Sequence, residues 1–223
     1  MKTRLLSSAC AAFLLAGLAA CGGNDESPPL VTVDALGAST MNMAALGNTM
    51  ATYPLASLSV AEAASLAFMR EEEQLAHDVY AASARLWSLP VFVNITASEA
   101  THSAAIKVLL DRYQQPDPLA GLPNGTFKTP AFQALYTSFV ATSQISLIEA
   151  LKVGVEIEEL DIRDITAQKA TIDNADILLV YEHLLSASRS HLRAFLKVLA
   201  QQGGTYVPKY ISQTEFNEIV NPQ

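Results

Sequence analysis

From Ser59 onward, apolar side chains return at steps of three and four residues in four long stretches, the period of a helix with one buried face. The first runs from Ser59 to about Trp87, with Leu66, Met69, Glu73, Ala76, Tyr80 and Trp87 on one stripe. A neighbouring stripe holds Phe68, Glu72, Leu75, Val79 and Leu86, and Pro90 is read as the end of this segment. The second runs from about Asn94 to Tyr113 along Ile95, Glu99, His102, Ile106 and Leu109. A loop rich in Pro and Gly follows from Gln115 to Pro130, then a short helix over about Ala131–Ala141. The third runs to about Lys169 on Ile148, Leu151, Val155, Ile162 and Ile165, with Glu158 in register. The fourth, from about Asn174 to Gln202, follows Ile177, Tyr181, Leu184, Ser188, His191, Phe195 and Val198. Ser59-x-x-Glu62 and Ser146-x-x-Glu149 read as capping boxes, Gly203-Gly204 as a stop, and Ser212-x-x-Glu215 as the start of a terminal helix. These patterns predict an all-α domain over 59–223, long enough for one sizeable core.

Each long stretch places at least one Glu or His within its apolar stripe. A buried ionised carboxylate costs several kcal/mol unless it is paired or bound to a cation. A lone inward histidine is an ordinary core residue. Four helices that each turn such a group inward point instead to a shared cation. The candidate ligands are Glu73, Glu99, His102, Glu158, Glu159 and His191, with Glu72 and Glu156 as weaker ones. Glu156, Glu158 and Glu159 compete for one role on the third helix. Tyr80, Tyr181 and Ser188 are candidates to hydrogen-bond ligand side chains from behind. Glu and neutral imidazole suit iron first, with manganese or zinc as alternatives. Opposed helices that carry Glu and Glu-x-x-His into a bundle core are the known frame of carboxylate-bridged two-metal sites.

Particular segments carry a family resemblance. Glu73-Gln74-Leu75-Ala76-His77-Asp78-Val79-Tyr80 resembles the first-helix ligand segment of rubrerythrins and bacterioferritins, Glu99-x-x-His102 their second-helix motif, and Glu156-x-x-Glu159 the third-helix pair of rubrerythrins. Met69–Glu73, Leu89-Pro90-Val91-Phe92, Ala97-Ser98-Glu99, Ile157–Ile162 and Ser188–Phe195 resemble the ferritin-like domain-of-unknown-function family 2202. That resemblance spans roughly Leu66 to Tyr210. It implies a ferritin-like four-helix bundle and brings no established activity with it. The fourth helix departs from the di-iron pattern, since Ser188 stands where Glu precedes His191. This leaves room for one metal or an unequal pair.

The N-terminal segment changes the setting. Lys2 and Arg4 precede an apolar run to Ala20, which suits a signal-peptide core over 1–20. Leu18-Ala19-Ala20-Cys21 resembles a lipobox, which implies a lipid on Cys21 and an anchor in the cell envelope. Gly22 after the cysteine favours the outer membrane, facing the periplasm. With Cys10 inside the signal and Cys21 acylated, no thiolate remains for a metal or a disulfide. Residues 21–58, rich in Gly, Ser, Pro, Asn and Ala, read as a flexible tether. Met41, Met43 and Met50 within it suggest copper(I) handling as a minor alternative.

Removing Lys2 and Arg4 leaves 12 basic against 22 acidic side chains, a net charge of −10. So acidic a chain, without a basic cluster, is a poor match for nucleic acid or an anionic lipid surface. The expected membrane partner is reached through the lipid on Cys21, and a homodimer stays open. The functional expectation is a metal-binding lipoprotein, an oxidase or peroxidase with one or two Fe or Mn ions. The alternative is a non-enzymatic envelope scaffold.

Overall fold

The structure is a computed structural model and describes residues 29–34 and 37–222. The signal peptide and Cys21 lie outside the described residues. The described chain is all-α apart from one small hairpin: β1 (Val31–Val33) and β2 (Ser39–Met41), then α1 (Met43–Thr52), α2 (Val60–Trp87), α3 (Pro90–Arg112), α4 (Pro130–Ser143), α5 (Leu147–Lys169), α6 (Ala175–Gln201) and α7 (Gln213–Val220). Among these residues no helix is long and apolar enough to cross a membrane.

Local signals set the helix ends. Ser59 caps α2 through its hydroxyl on Glu62 N, and Glu62 returns a bond to Ser59 N, so the expected capping box is complete. At Ser146 only half of the box forms: the hydroxyl caps Glu149 N, while the Glu149 carboxylate pairs with Lys152. Pro90 does not simply end the first segment. Ser88 closes α2 in the left-handed region at φ 50°, Leu89 is extended, and Pro90 is the first residue of α3. A proline at that position loses no helical hydrogen bond. The second helix therefore starts four residues earlier than periodicity suggested.

Packing follows the apolar stripes. α2 lies along α3 and touches α5, and α6 lies along α5 and touches α3. α4 covers α2 and α5. Leu66, Met69, Tyr80, Phe92, Ile106, Leu151, Tyr181 and Phe195 are fully buried between them. Gly154 on α5 admits the Phe195 ring, which a Cβ would meet at 2.6 Å. Leu86, expected inward, is instead 50% exposed near the end of α2.

The segment read as a flexible tether is built into this core over its described part. Met41 on β2 and Leu46 and Met50 on α1 are buried among the helices. Short polar side chains of α3 hold β2: Ser98 Oγ accepts from Ser39 N at 2.9 Å and Thr101 Oγ1 from Met41 N at 3.2 Å. Gly37, at φ +87°, lets the chain approach α6, where a Cβ would sit 3.0 Å from Ser190 O. Gly- and Ser-rich composition reads as loose order, yet here it serves close backbone approach. Met41 and Met50 are core residues and Met43 is half-buried against them.

Candidate metal centre

Residues 70–73 show how one helical turn distributes its side chains, each about 100° from the last. Arg70 turns to Asp117 in the loop after α3. Glu71 accepts from Thr129 N at 2.9 Å and Thr129 Oγ1 at 2.5 Å. Glu72 faces α5, and Glu73 faces the interior between α2 and α3. On α3, Glu99 and His102 are one turn apart and both point inward. α5 brings Glu158 and α6 brings His191 to the same place.

These five residues form two sets that share Glu99. Glu73, Glu99 and His102 offer ligand atoms within 4.8 Å of one another, and so do Glu99, Glu158 and His191. Glu99 lies between the two imidazoles, with Oε2 at 2.9 Å from His102 Nδ1 and Oε1 at 2.8 Å from His191 Nδ1. Glu73 Oε2 is 3.3 Å from His102 Nδ1, and Glu158 Oε2 is 3.5 Å from His191 Nδ1. All five side chains are essentially out of solvent. The two rings are stacked 5.5 Å apart.

The donor set fits metal ions. Both oxygens of Glu73, Glu99 Oε1, Glu158 Oε2 and His191 Nδ1 are buried without a hydrogen-bond partner. The 2.8 Å approach of His191 Nδ1 to Glu99 Oε1 thus lacks hydrogen-bond alignment. Ligand atoms that share one ion at about 2.1 Å stand roughly 3 to 3.5 Å from each other, and the imidazole–carboxylate separations here run from 2.8 to 3.5 Å. Orphaned polar atoms in a native interior are rare and costly, and five spread over these two adjoining sets are what bound cations would satisfy.

The charges need compensation. Burial drives Glu73, Glu158 and Asp161 above the ordinary carboxylate range, and neighbouring carboxylates add to it. Burial also opposes charge on Glu99, but His102 and His191 outweigh it and hold that carboxyl below its usual range. For the imidazoles burial works against protonation. Carboxylates prevail and raise His102 to about 10 and His191 to about 9. Without cations the cluster is therefore a network of imidazolium and partly protonated carboxyl groups.

Two residues hold the ligands from behind. Tyr80, as expected, donates to Glu158 Oε1 at 2.7 Å. Ser39 on β2 was not foreseen. Its hydroxyl lies 2.9 Å from His102 Nε2 and 3.1 Å from His191 Nε2, fully buried. One hydroxyl oxygen can accept from both Nε2–H groups, which leaves both Nδ1 lone pairs facing the carboxylates. A strand of three residues has too little periodicity to announce such a role.

The remaining candidates lie elsewhere. Glu159 is buried but points 100° away from Glu158, into the segment after α6. It accepts from the backbone N–H of Lys209, Tyr210 and Ile211 at 2.6 to 3.0 Å and from Tyr206 OH at 2.6 Å. Those donors satisfy it, so it is an anchor of the chain and not a ligand. Glu156 pairs with Lys209 Nζ and accepts from Tyr210 OH at 3.1 Å near the surface. Tyr181 OH bonds Ser65 Oγ at 2.8 Å, and Ser188 Oγ bonds its own helix at Leu184 O at 3.1 Å. Neither touches a ligand side chain through these bonds. Asp161, one turn beyond Glu158, was missed as a candidate, although it is 1% exposed with both oxygens unpartnered.

Comparison with known proteins agrees with the helical domain. The chain is 43% identical over 172 residues to "Uncharacterized protein MJ0754" of Methanocaldococcus jannaschii, which covers 77% of this chain and 93% of that protein. The crystal structure of hypothetical protein MJ0754 from Methanococcus jannaschii DSM 2661 superposes with a TM-score of 0.74 at 44% identity, over 76% of this chain and 97% of that one. The family model described as an uncharacterized protein domain, DUF2202, matches residues 62–223. Ser39 lies outside the matched segment, whereas the five clustered side chains lie within it. On these grounds the chain belongs to the DUF2202 family.

Proposed function

We propose that this chain is an envelope metalloprotein whose long helices form a ferritin-like four-helix bundle around a two-metal carboxylate centre. Glu99 would join the two ions, Glu73 and His102 would hold one, and Glu158 and His191 the other. The observation that carries this reading is the Glu99 carboxylate, which turns one oxygen to each imidazole within a set of unpartnered buried atoms. Glu73 and Glu158 flank it on opposite sides, so the loss of a carboxylate at Ser188 does not remove either set. Iron is the first candidate and manganese the second. Zinc would fit the donors but would supply no redox chemistry.

A bound iron or manganese pair would supply one-electron redox chemistry toward dioxygen or peroxide, which makes the chain an oxidase or peroxidase in this proposal. The protein's own residues hold the ligands in register. Ser39 sets the imidazole orientation, Tyr80 offers a buried hydroxyl beside Glu158, and the packed aromatic rings of Tyr80, Phe92 and Phe195 keep water away. By the lipobox resemblance the bundle would be tethered through Cys21 at the outer membrane and face the periplasm.

A second reading starts from the carboxylates that surround both imidazoles. His102 and His191 gain protons strongly enough to neutralise part of the cluster without metal. The bundle would then be a metal-free scaffold. Metal analysis of protein purified without chelator separates the two. About two equivalents of iron or manganese, falling to about one in His102→Ala and in His191→Ala, support the centre. A chain that takes up no iron, manganese or zinc, with its melting temperature unmoved by each, refutes it.

A further inference from the structure

A narrow cleft of about 170 Å³ runs between α2, α4 and α5, lined among others by Glu72, Thr129, Phe132, Asp161, Arg163 and Asp164. Two of its carboxylates have unused oxygens: Glu72, 4% exposed, through Oε2, and Asp161, 1% exposed, through both. The other polar groups of the lining are engaged. Arg163 chelates Asp164 at 2.7 and 2.6 Å and lies 5.0 Å over the Tyr210 ring. Thr129 is bonded to Glu71. The only cationic side chain lining the cleft, Arg163, hydrogen-bonds Asp164, and three buried carboxylate oxygens of the lining residues Glu72 and Asp161 have no donor.

Position gives this cleft a direction. Glu72 directly precedes Glu73 on α2, and Asp161 follows Glu158 by one turn on α5. The same two helices thus carry the cleft carboxylates and two ligands of the buried centre. At roughly 30 Å³ per water, the volume admits an ion that keeps part of its hydration. Oxygen donors without sulfur or imidazole select hard divalent cations such as Mn²⁺ or Mg²⁺.

We propose that Glu72 and Asp161 form a separate divalent-cation site, at which a partly hydrated ion binds before it passes to the buried Glu73/Glu99/His102 and Glu99/Glu158/His191 sets. Its destination rests on the metal-centre reading, while binding in the cleft does not.

The test uses the chelator-treated full chain and Co²⁺ as probe. Stopped-flow absorbance follows loading of the centre, and anomalous scattering from Mn²⁺-soaked crystals locates ions. Charge-lined clefts raise on-rates by about 10- to 1,000-fold. Glu72→Gln and Asp161→Asn are each expected to slow Co²⁺ loading at least about tenfold, with the final Co²⁺ count and spectrum unchanged. Glu156→Gln, which removes a carboxylate elsewhere on α5, is expected to load like the parent. A manganese peak between Glu72 and Asp161 that vanishes in the double variant supports the site. Parental loading rates with no peak in the cleft overturn it. So does a lower final Co²⁺ count in Asp161→Asn, which would make Asp161 a ligand of the centre. A parent chain with the cleft peak but no buried ion supports the cleft site and refutes the centre.

Discussion

Replacing Ser39 by Ala removes one oxygen from a position with no solvent access, and two imidazole nitrogens lose their partner at once. A buried polar group left unpaired costs about 1 to 3 kcal/mol. The metal-free protein should therefore lose about 2 to 4 kcal/mol, less than twice the upper figure because the rings can re-tilt. At about 2 to 4 °C per kcal/mol for a chain of this size, the melting temperature should fall by roughly 5 to 15 °C. Metal affinity should fall too, since partners of ligating histidines are worth about 10- to 100-fold. A stability loss alone would not distinguish tautomer control from simple packing. Three measurements do: Co²⁺ affinity by chelator competition, its pH dependence, and ¹⁵N shifts of labelled histidines in the Zn²⁺-loaded chain. The parent should show Nδ1 ligated and Nε2 protonated on both His102 and His191. Ser39→Ala should show mixed tautomers and weaker binding. Ser39→Thr restores the hydroxyl and should recover affinity, though the added methyl costs stability in a packed site. Parental Co²⁺ affinity and unchanged histidine shifts in Ser39→Ala would refute the argument.

Two further outcomes follow from the same geometry. Glu159→Ala should lower stability by about 3 kcal/mol or more, because four donors near residues 206–211 lose a charged acceptor; denaturant unfolding should show this with the metal count unchanged, and Glu156→Ala should shift neither. Chelator-treated protein should lose stability as pH rises from about 6.5 to about 10. His102 and His191 have folded pKa values raised to about 10 and about 9, so their contribution is complete below the unfolded value near 6.5 and gone above the folded ones. The raised carboxyls of Glu73, Glu158 and Asp161 act in the same sense, from a lower starting pH. Glu99 acts oppositely and matters only as pH falls through its lowered pKa. Thermal melts from pH 5 to 10 measure this, and a flat or rising profile over pH 7–10 would contradict it.

The helices were legible because each carries its own punctuation. Ser59, Ser146 and Ser212 cap α2, α5 and α7 through the hydroxyls the sequence offers. Glu73, Glu99, His102, Glu158 and His191 were legible for a related reason: a helix of known period fixes which polar groups share its apolar face. Periodicity failed where adjacent carboxylates point 100° apart and long-range donors decide between them. Glu158 and Glu159 are both buried, and only the segment at 206–211 makes one of them an anchor. Tyr181 and Ser188 face inward as read, but Ser65 and the Leu184 carbonyl claim their hydroxyls first. Ser39 was out of reach, because its partners are 63 and 152 residues away and its strand is three residues long.

The cluster also explains why the centre need not be coupled to folding. Glu73, Glu99, Glu158 and Asp161 place four carboxyl groups in an interior where each unpaired charge costs several kcal/mol. Protonation of the two imidazoles and of the raised carboxyls offsets part of that charge when no metal is bound. Divalent ions cancel it as well, but each must displace the protons that occupy its ligands. If the proposed centre binds metal, metal and protons would compete for the same side chains, in contrast to small zinc domains that unfold when stripped. The bulk of the fold stands on the apolar stripes of α2, α3, α5 and α6, so removing metal should soften the middle of the bundle and leave its helices intact. Far-ultraviolet circular dichroism unchanged by chelation, alongside faster amide exchange near Glu99 and His191, is the expected pair of observations; collapse of helicity on chelation would mean that metal, and not the protonated cluster, completes the core.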